Sequence, residues 1–230
     1  MKKIILLFFV MIQLVTFGQQ ITYNQFKEEA KTDFRLLPKY GNAAKTKEQI
    51  NLDNDLIQDY LKQGGTHRKA SEILIRLGFN YLYKGDLKTS MFRFNQAWLL
   101  DPENENVYWG FGAIYFTFND FQNALKQYDE GLKLNPNSSN IITDKATVYK
   151  SKFETNNKHD IIDLNTAIDL FLKSYSINSN NQNTLYKLSV CYFEKDDCKN
   201  ARKYYNECVN LGGKPITKEY SEALNKECKN

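Results

Sequence analysis

A pattern of residues recurs at a spacing of 34 positions in the middle of this chain. Laying residues 71–104 over residues 105–138 aligns glycine with glycine, aromatic with aromatic and proline with proline, without a gap. The paired positions are Leu74 and Tyr108, Leu77 and Phe111, Gly78 and Gly112, Tyr81 and Tyr115, Leu87 and Phe121, Phe94 and Tyr128, Leu100 and Leu134, and Pro102 and Pro136. Self-similarity at a fixed period indicates a fold built from stacked copies of one unit.

Two further copies follow. Residues 182–215 keep the register without a gap, although Gly213 stands in the place of the proline; the matching residues are Leu185, Leu188, Ser189, Tyr192, Ala201, Tyr205, Cys208 and Leu211. Residues 139–181 match only if about nine residues are inserted around KSKFETNNKHD. We interpret this polar insertion, which carries His159, as either a loop or a helix extension at the rim of the stack.

Each copy has the pattern of two helices joined by a tight turn. Apolar residues recur at helical spacing, KGD or FND lies between the two runs, and no segment alternates with the period of two that strands require. Gly78 and Gly112 allow close approach of the paired helices opposite Ser90 and Ala124. The sequence therefore predicts an all-α chain.

The period, the turns and the small, aromatic and proline positions of residues 71–215 resemble those of the tetratricopeptide repeat. The resemblance implies a right-handed α-solenoid of stacked antiparallel helix hairpins. About four repeats are expected, over residues 71–104, 105–138, 139–181 and 182–215. Stacking is required because one hairpin cannot bury its own apolar face.

Helices are also expected on both sides of the repeats. In residues 19–70, one predicted helix begins at a Thr22/Gln25 capping box and runs to Pro38, and a second begins near Thr46, again with a glutamine three residues on at Gln49, and ends at Gly64. Their predicted apolar stripes are Phe26, Ala30, Phe34 and Leu37, and Leu52, Leu56, Ile57, Tyr60 and Leu61. Residues 216–230 are predicted to form a capping helix that Thr217 caps at its start and that covers the last repeat with Tyr220, Ala223 and Leu224.

The first 18 residues have the plan of a secretory signal peptide. Two lysines precede the apolar run Ile4–Ile12, and small or short residues follow before Gln19. A retained membrane anchor is the alternative, which the short run and Gln13 disfavour. We therefore expect an exported mature chain, periplasmic or secreted, without a membrane anchor.

The four cysteines all lie among the last 40 residues. A zinc site is disfavoured because no CxxC spacing occurs and the two histidines lie far away in sequence. In an exported chain a disulfide is expected. Hairpin geometry places Cys198 near Cys228 and also near Cys191; we favour the Cys198–Cys228 pair, with Cys191 and Cys208 as buried thiols.

No motif for catalysis or for a cofactor is found. The chain has no HExxH, no phosphate-binding loop and no GxSxG, and its paired carboxylates fall in turns or on polar helix faces. The formal charge is +4, without a basic stripe, which argues against nucleic acid as a partner. The sequence thus predicts neither an enzyme nor a cofactor or metal site.

In the family that the chain resembles, the first helices of the repeats line a concave groove that binds a peptide or a partner's helix. Carried over by position, the groove would be lined by Ile75, Phe79, Tyr83, Trp109, Phe116, Tyr186 and Phe193. A subclass of the family clamps C-terminal carboxylates, but the corresponding places here are Ile75, Phe79, Gly110, Asn140 and Asp144, so that activity is disfavoured.

Two functional hypotheses follow. The first is a non-catalytic module that binds a peptide or protein segment in this aromatic groove. The alternative is a structural or oligomerisation building block whose groove is filled by its own N-terminal segment or by a second copy, because a large apolar patch is seldom left bare in a monomer.

Overall fold

The computed structural model describes residues 21–155 and 160–228. The predicted signal peptide and His159 lie outside these residues. Within them all regular structure is helical, and we number the α-helices in chain order: α1 Tyr23–Ala30, α2 Lys47–Gly64, α3 His67–Tyr83, α4 Leu87–Leu100, α5 Glu105–Thr117, α6 Phe121–Leu134, α7 Ser139–Thr155, α8 Ile161–Ile177, α9 Gln182–Glu194, α10 Cys198–Asn210 and α11 Lys218–Glu227. The predicted all-α fold of stacked hairpins is confirmed.

Helices α3 to α10 pack as four consecutive hairpins, each formed by one odd-numbered helix and the even-numbered helix that follows it. The first helices of successive hairpins also contact one another, α3 with α5, α5 with α7 and α7 with α9. In the described part of the chain, successive second helices make no comparable contacts. The first helices therefore lie on the concave side of the solenoid.

The turns inside three hairpins share one backbone device. In each of these turns the second-to-last residue has a φ in the left-handed region. These residues are Gly85 (78°), Asn119 (58°) and Asp196 (57°). Glycine, asparagine and aspartate tolerate this region best. The next residue is an aspartate whose side chain accepts a backbone N–H bond and caps the second helix, as seen at Asp86, Asp120 and Asp197.

Phe94 occupies the space between the first two hairpins. A Cβ atom on Gly78 would lie only 2.5 Å from Cε1 of Phe94, and one on Gly110 would also overlap this ring. The Ser90 hydroxyl donates a 2.9 Å hydrogen bond to the Gly78 carbonyl across the hairpin. Gly78 thus leaves room for the Phe94 ring and also allows the facing helix α4 to pack closely.

In the third hairpin, both helices are longer at the place of the predicted insertion. Helices α7 and α8 have 17 residues each, compared with 13 in α5 and 14 in α6. The hairpin therefore projects beyond its neighbours by about one helical turn.

One prediction for the N-terminal segment, the end of its first helix, was wrong. Its first helix, α1, starts at the predicted Thr22/Gln25 capping box but ends at Ala30 rather than at Pro38. The Asp33 side chain accepts the backbone N–H of Arg35 and starts a separate 3₁₀ turn, Phe34–Leu36. Phe34 and Leu37 consequently do not share a helical face with Phe26.

Helix α2 begins at the predicted Thr46/Gln49 capping box, and Gly65 caps its C-terminal end with a positive φ of 79°. Its predicted stripe is only partly correct. Ile57 and Tyr60 pack against the core of the first hairpin, whereas Leu52 is 67% exposed. The helix therefore contacts α3 and α4 along a narrow line.

Asn95 on α4 anchors the chain that links α1 and α2. Its buried amide group donates to the carbonyls of Arg35 (2.7 Å) and Leu37 (2.9 Å), and its Oδ1 accepts the N–H of Tyr40 (3.3 Å). Tyr40 is itself buried and has a left-handed φ of 55°. The Asn95 side chain thus supplies hydrogen-bond partners for three backbone groups of a segment that lies outside the α-helices.

Replacing Asn95 with alanine is expected to destabilise this segment by about 2 to 3 kcal/mol, because three backbone groups lose their partner in a buried site. The effect should be local, since the hairpins do not depend on it. Hydrogen exchange should show faster exchange in residues 33–43 and unchanged protection in α5 to α10. Equal loss of protection throughout the chain would contradict this assignment.

The last helix, α11, closes the C-terminal end of the stack. Thr217 caps it as predicted, and Tyr220 and Leu224 are buried against the last hairpin. Cys198 and Cys228 lie at disulfide distance, with 5.2 Å between their Cα atoms. Cys191 and Cys208 are buried and unpaired. No helix in the described part of the chain is long and apolar enough to cross a membrane.

Candidate binding groove

Two cavities open on the concave side, and Tyr83 and Trp109 form a wall that both share. One cavity, of about 410 Å³, lies between α3 and α5 and is mainly apolar. The other, of about 440 Å³, reaches from this wall to α7 and to the turn before α9, where residues 178–183 contribute mostly amide side chains. The wall therefore separates an apolar site from a polar one.

The Phe79 ring packs against both residues of this wall. Its ring centroid lies 4.5 Å from that of Trp109, 5.2 Å from that of Phe94 and 6.1 Å from that of Tyr83. The groove aromatics are thus continuous with the core at Phe94. Trp109 and Phe79 are half-buried, whereas Tyr83 is 77% exposed.

Trp109 is held from the opposite side by a polar contact. Its Nε1–H donates a 2.6 Å hydrogen bond to Oδ2 of Asp144 on α7. Oδ1 of Asp144 lies 4.0 Å from Nζ of Lys187 on α9, and Lys187 donates a 2.7 Å bond to Oγ1 of Thr147. The orientation of the indole ring therefore depends on three consecutive hairpins.

Further along the concave side, charged side chains of α7 and α9 form ion pairs. Lys150 on α7 pairs with Glu154 and, at 3.2 Å, with Glu194 on α9. Burial tends to lower the pKa of Lys150, but the bond to Glu154 and the two carboxylate charges outweigh it and raise the pKa. For Glu194, burial raises the pKa against the opposing charge of Lys150. Lys150 is thus engaged by two carboxylates, whereas Oε2 of Glu194 is buried and has no hydrogen-bond partner among the described residues.

Lys187 and Cys191 complete this ionic region. Burial lowers the pKa of Lys187, and the charge of Asp144 offsets only part of the effect. Burial likewise raises the pKa of the Cys191 thiol to about 12. The thiol is therefore neutral near pH 7 and has little nucleophilic character.

The structure brings together three of the predicted groove residues, Phe79, Tyr83 and Trp109. Phe116 is half-buried, has its ring centroid 6.1 Å from that of Phe121 and lines neither cavity. The prediction for Ile75 requires correction. Ile75 is only 6% exposed and packs in the core of the first hairpin, because it lies one position beyond Leu74 on the buried side of α3.

Tyr186 and Phe193 also require correction, because helix α11 covers them. Tyr220 packs edge-on against Tyr186 at 5.5 Å and against Phe193 at 5.7 Å. The Tyr220 hydroxyl bonds Ser189 at 2.6 Å, between the two aromatic contacts. The open groove therefore ends at α9, and its C-terminal part is closed by the chain itself.

Several residues of the groove were not predicted. Arg76 and Asn80 line the apolar cavity on the same face of α3 as Phe79 and Tyr83, at helical spacing that could have identified them. The amide side chains of residues 178–183 had no such signal, because only the stacking of the third hairpin on the fourth brings their turn opposite Trp109. Within the described residues, no group of three or more His, Cys, Asp or Glu side chains could hold a metal ion.

Comparisons with known proteins agree with this architecture. A family model for the tetratricopeptide repeat matches residues 105–138 and 183–211. No curated protein matches the chain.

Two solved structures are similar over most of the chain. One is TTC0263, a thermophilic tetratricopeptide-repeat protein of Thermus thermophilus, with a TM-score of 0.57, 13% identity, and coverage of 68% of this chain and 80% of that one. The other is PilF of Pseudomonas aeruginosa, with a TM-score of 0.54, 19% identity, and coverage of 79% and 85%. At these identities the likeness establishes the fold alone. Residues 105–138 and 183–211 match the tetratricopeptide-repeat model, and the four stacked hairpins give the chain the fold of tetratricopeptide-repeat proteins.

Proposed function

We propose that this protein is a non-catalytic interaction module that holds a segment of a partner protein on the wall formed by Phe79, Tyr83 and Trp109. Tetratricopeptide-repeat folds generally serve as scaffolds for protein–protein interaction. The concave surface with its two cavities supplies a site of the size that a few side chains of a bound segment would fill.

The observation that carries the proposal is the exposure of Tyr83. It is an aromatic residue with 77% of its surface exposed, its ring stacks on the half-buried ring of Phe79, and it lines both cavities together with Trp109. Rigid aromatic side chains at the centre of a concave surface are typical anchors of protein interfaces. Burial of Tyr83 by a partner would remove this apolar area from water.

The building-block alternative receives less support. Residues 21–64 pack mainly on α3, α4 and Phe118, and none of them lines either of the two groove cavities. The described part of the N-terminal segment thus does not fill the groove. Helix α11 covers only Tyr186 and Phe193, which leaves the Tyr83 wall open.

The proposal includes export from the cytoplasm, which rests on the sequence of residues 1–18 alone. The partner would then be a periplasmic, surface or secreted protein. Fusion of these residues to a reporter that is active only after export tests this part independently of binding.

Tyr83→Ala is expected to weaken partner binding without affecting the fold. Peptides would be selected from a random phage-displayed library on the wild-type chain, and their affinities measured by fluorescence polarisation. We expect the variant to bind the selected peptides about tenfold more weakly or worse, because an aromatic anchor is lost. Its free energy of unfolding should change by less than about 0.5 kcal/mol, since the side chain is exposed.

Ile162→Ala is the matched control. Ile162 is an apolar residue of similar exposure (68%) at the start of α8, outside the groove. It should leave both the affinities and the stability unchanged. Selection of no peptides, or equal binding by Tyr83→Ala and the wild type, would refute the proposed function.

A further inference from the structure

Arg76 is an exposed cation of the groove that has no partner within the described chain. It lines the apolar cavity, yet it forms no hydrogen bond, ion pair or ring contact with residues 21–155 or 160–228. By contrast, Arg68 on the same helix donates a 2.6 Å bond to Glu105 and a 3.3 Å bond to Glu72. Lys150 and Lys187 deeper in the groove are likewise engaged.

The rest of the chain does not supply the missing anion from a side chain. Residues 1–20, 156–159 and 229–230 contain no aspartate or glutamate. On α3 itself, Glu72 lies four residues before Arg76 and is engaged by Arg68 at 3.3 Å, and Asp144, which lines the polar cavity, accepts the Trp109 indole N–H and faces Lys187. Arg76 is therefore left without a carboxylate in a groove whose other cations are paired.

The surroundings of Arg76 are apolar. The cavity of about 410 Å³ beside it is lined by Ile73, Leu77, Phe79 and Trp109, with Asn80 and Tyr83 at its edge. A cavity of this size and character accepts an aliphatic or aromatic side chain. A guanidinium at its rim is well suited to bind a carboxylate in a bidentate manner.

We propose that the bound segment carries an apolar side chain next to an aspartate or glutamate. The apolar side chain fills the cavity on Phe79 and Trp109, and the neighbouring carboxylate pairs with Arg76. A basic residue at this place is disfavoured, because it would meet the unpaired guanidinium. This inference rests on the proposed function and specifies its partner chemistry.

Arg76→Glu tests the inference by reversal of charge. Parallel selections from one random peptide library would be made on the wild type and on this variant. The wild type should enrich peptides with an acidic residue beside an apolar one. The variant should enrich lysine or arginine at the same place and keep the apolar residue, because the cavity is unchanged.

A second measurement uses one peptide selected by the wild type and its acid-to-amide analogue. The analogue should bind the wild type about tenfold more weakly, whereas Arg76→Ala should bind the two peptides equally. Raising the salt concentration should reduce the difference between the affinities of the wild type for the acidic peptide and for its amide analogue. Lys173→Glu, at an exposed position on the outer helix α8, makes the same change in net charge and should leave the selected motif unaltered.

The outcomes separate this inference from the proposed function. Enrichment of peptides that depend on Tyr83 but show no acidic preference, or show the same motif with Arg76→Glu, would overturn the role of Arg76 alone. If neither protein enriches any peptide, both proposals fail together. A motif that also changes with Lys173→Glu would attribute the preference to net charge and overturn the inference.

Discussion

Phe94→Ala is expected to lower the free energy of unfolding by about 3 to 5 kcal/mol, as observed for fully buried aromatic residues. Phe94 has no exposed surface and contacts the rings of Phe79 and Phe111. Two of its neighbours, Gly78 and Gly110, have no side chains that could move into the space left behind. Urea denaturation of the variant and the wild type measures the difference.

The same site offers a compensating change. Gly110→Ala alone should destabilise the chain by about 1 to 3 kcal/mol, because the new Cβ atom overlaps the Phe94 ring. In the Phe94→Ala background that methyl group would enter vacated space, and alanine favours the helix over glycine by about 1 kcal/mol. The second substitution should therefore be neutral or stabilising in the double variant.

This double-mutant cycle distinguishes a shared packing site from two independent effects. Neighbouring residues are expected to show non-additive energies, whereas separate sites add. Additive losses in the double variant would mean that Phe94 does not occupy the space between Gly78 and Gly110. The arrangement of the first two hairpins described above would then be wrong.

Replacement of both Cys198 and Cys228 by serine is expected to lower the free energy of unfolding by about 3.5 kcal/mol. The cysteines are separated by 30 residues in sequence, and a cross-link over a loop of this length restricts the unfolded chain by about that amount. Thermal unfolding followed by circular dichroism, with the wild type kept oxidised, measures the effect.

Reduction provides the control for this prediction. Dithiothreitol should lower the midpoint of the oxidised wild type to near that of the double variant, and it should not change the variant. Cys191 and Cys208 should remain unreactive towards alkylating reagents in both folded proteins, since both are buried. An unchanged midpoint of the wild type on reduction would show that the cross-link is absent or adds nothing.

Loss of the cross-link has a structural consequence near the groove. Besides the cysteine pair, α11 is held on the last hairpin by Tyr220 and Leu224 and by hydrogen bonds from α10, which Arg202 donates to the Cys228 carbonyl (2.7 Å) and Tyr205 to the Ser221 hydroxyl (3.0 Å). Faster hydrogen exchange is therefore expected in α11 of the double variant. Tyr186 and Phe193 would become accessible whenever α11 separates from the last hairpin.

Much of the fold could be predicted from the sequence because the repeat encodes it locally. The period of Gly78 and Gly112 identified the hairpins, and the two threonine–glutamine capping boxes located the starts of α1 and α2. Helix caps and turns depend on residues within one turn of each other, so sequence alone can specify them. Stacking of the copies then follows from the need to cover each apolar face.

The groove was predicted less completely. Phe79, Tyr83 and Trp109 lie where the repeat register placed them, but Ile75 is buried, and Tyr186 and Phe193 are covered by α11. A register can assign a residue to a helix face, but it does not show what packs on that face. The end of α1 at Ala30 was missed for a similar reason, since contacts of the following segment with Asn95 stabilise a non-helical path.

The sequence by itself determined that this chain is all-α, that it contains four stacked hairpins, and where most of the helices begin. These features depend on local propensity and on a periodic pattern that each copy repeats. Only the tertiary structure decided which aromatic residues stay open, that α11 closes one end of the groove, and that Arg76 has no acidic partner among the described residues. Such features depend on contacts between residues far apart in sequence, which no single repeat contains.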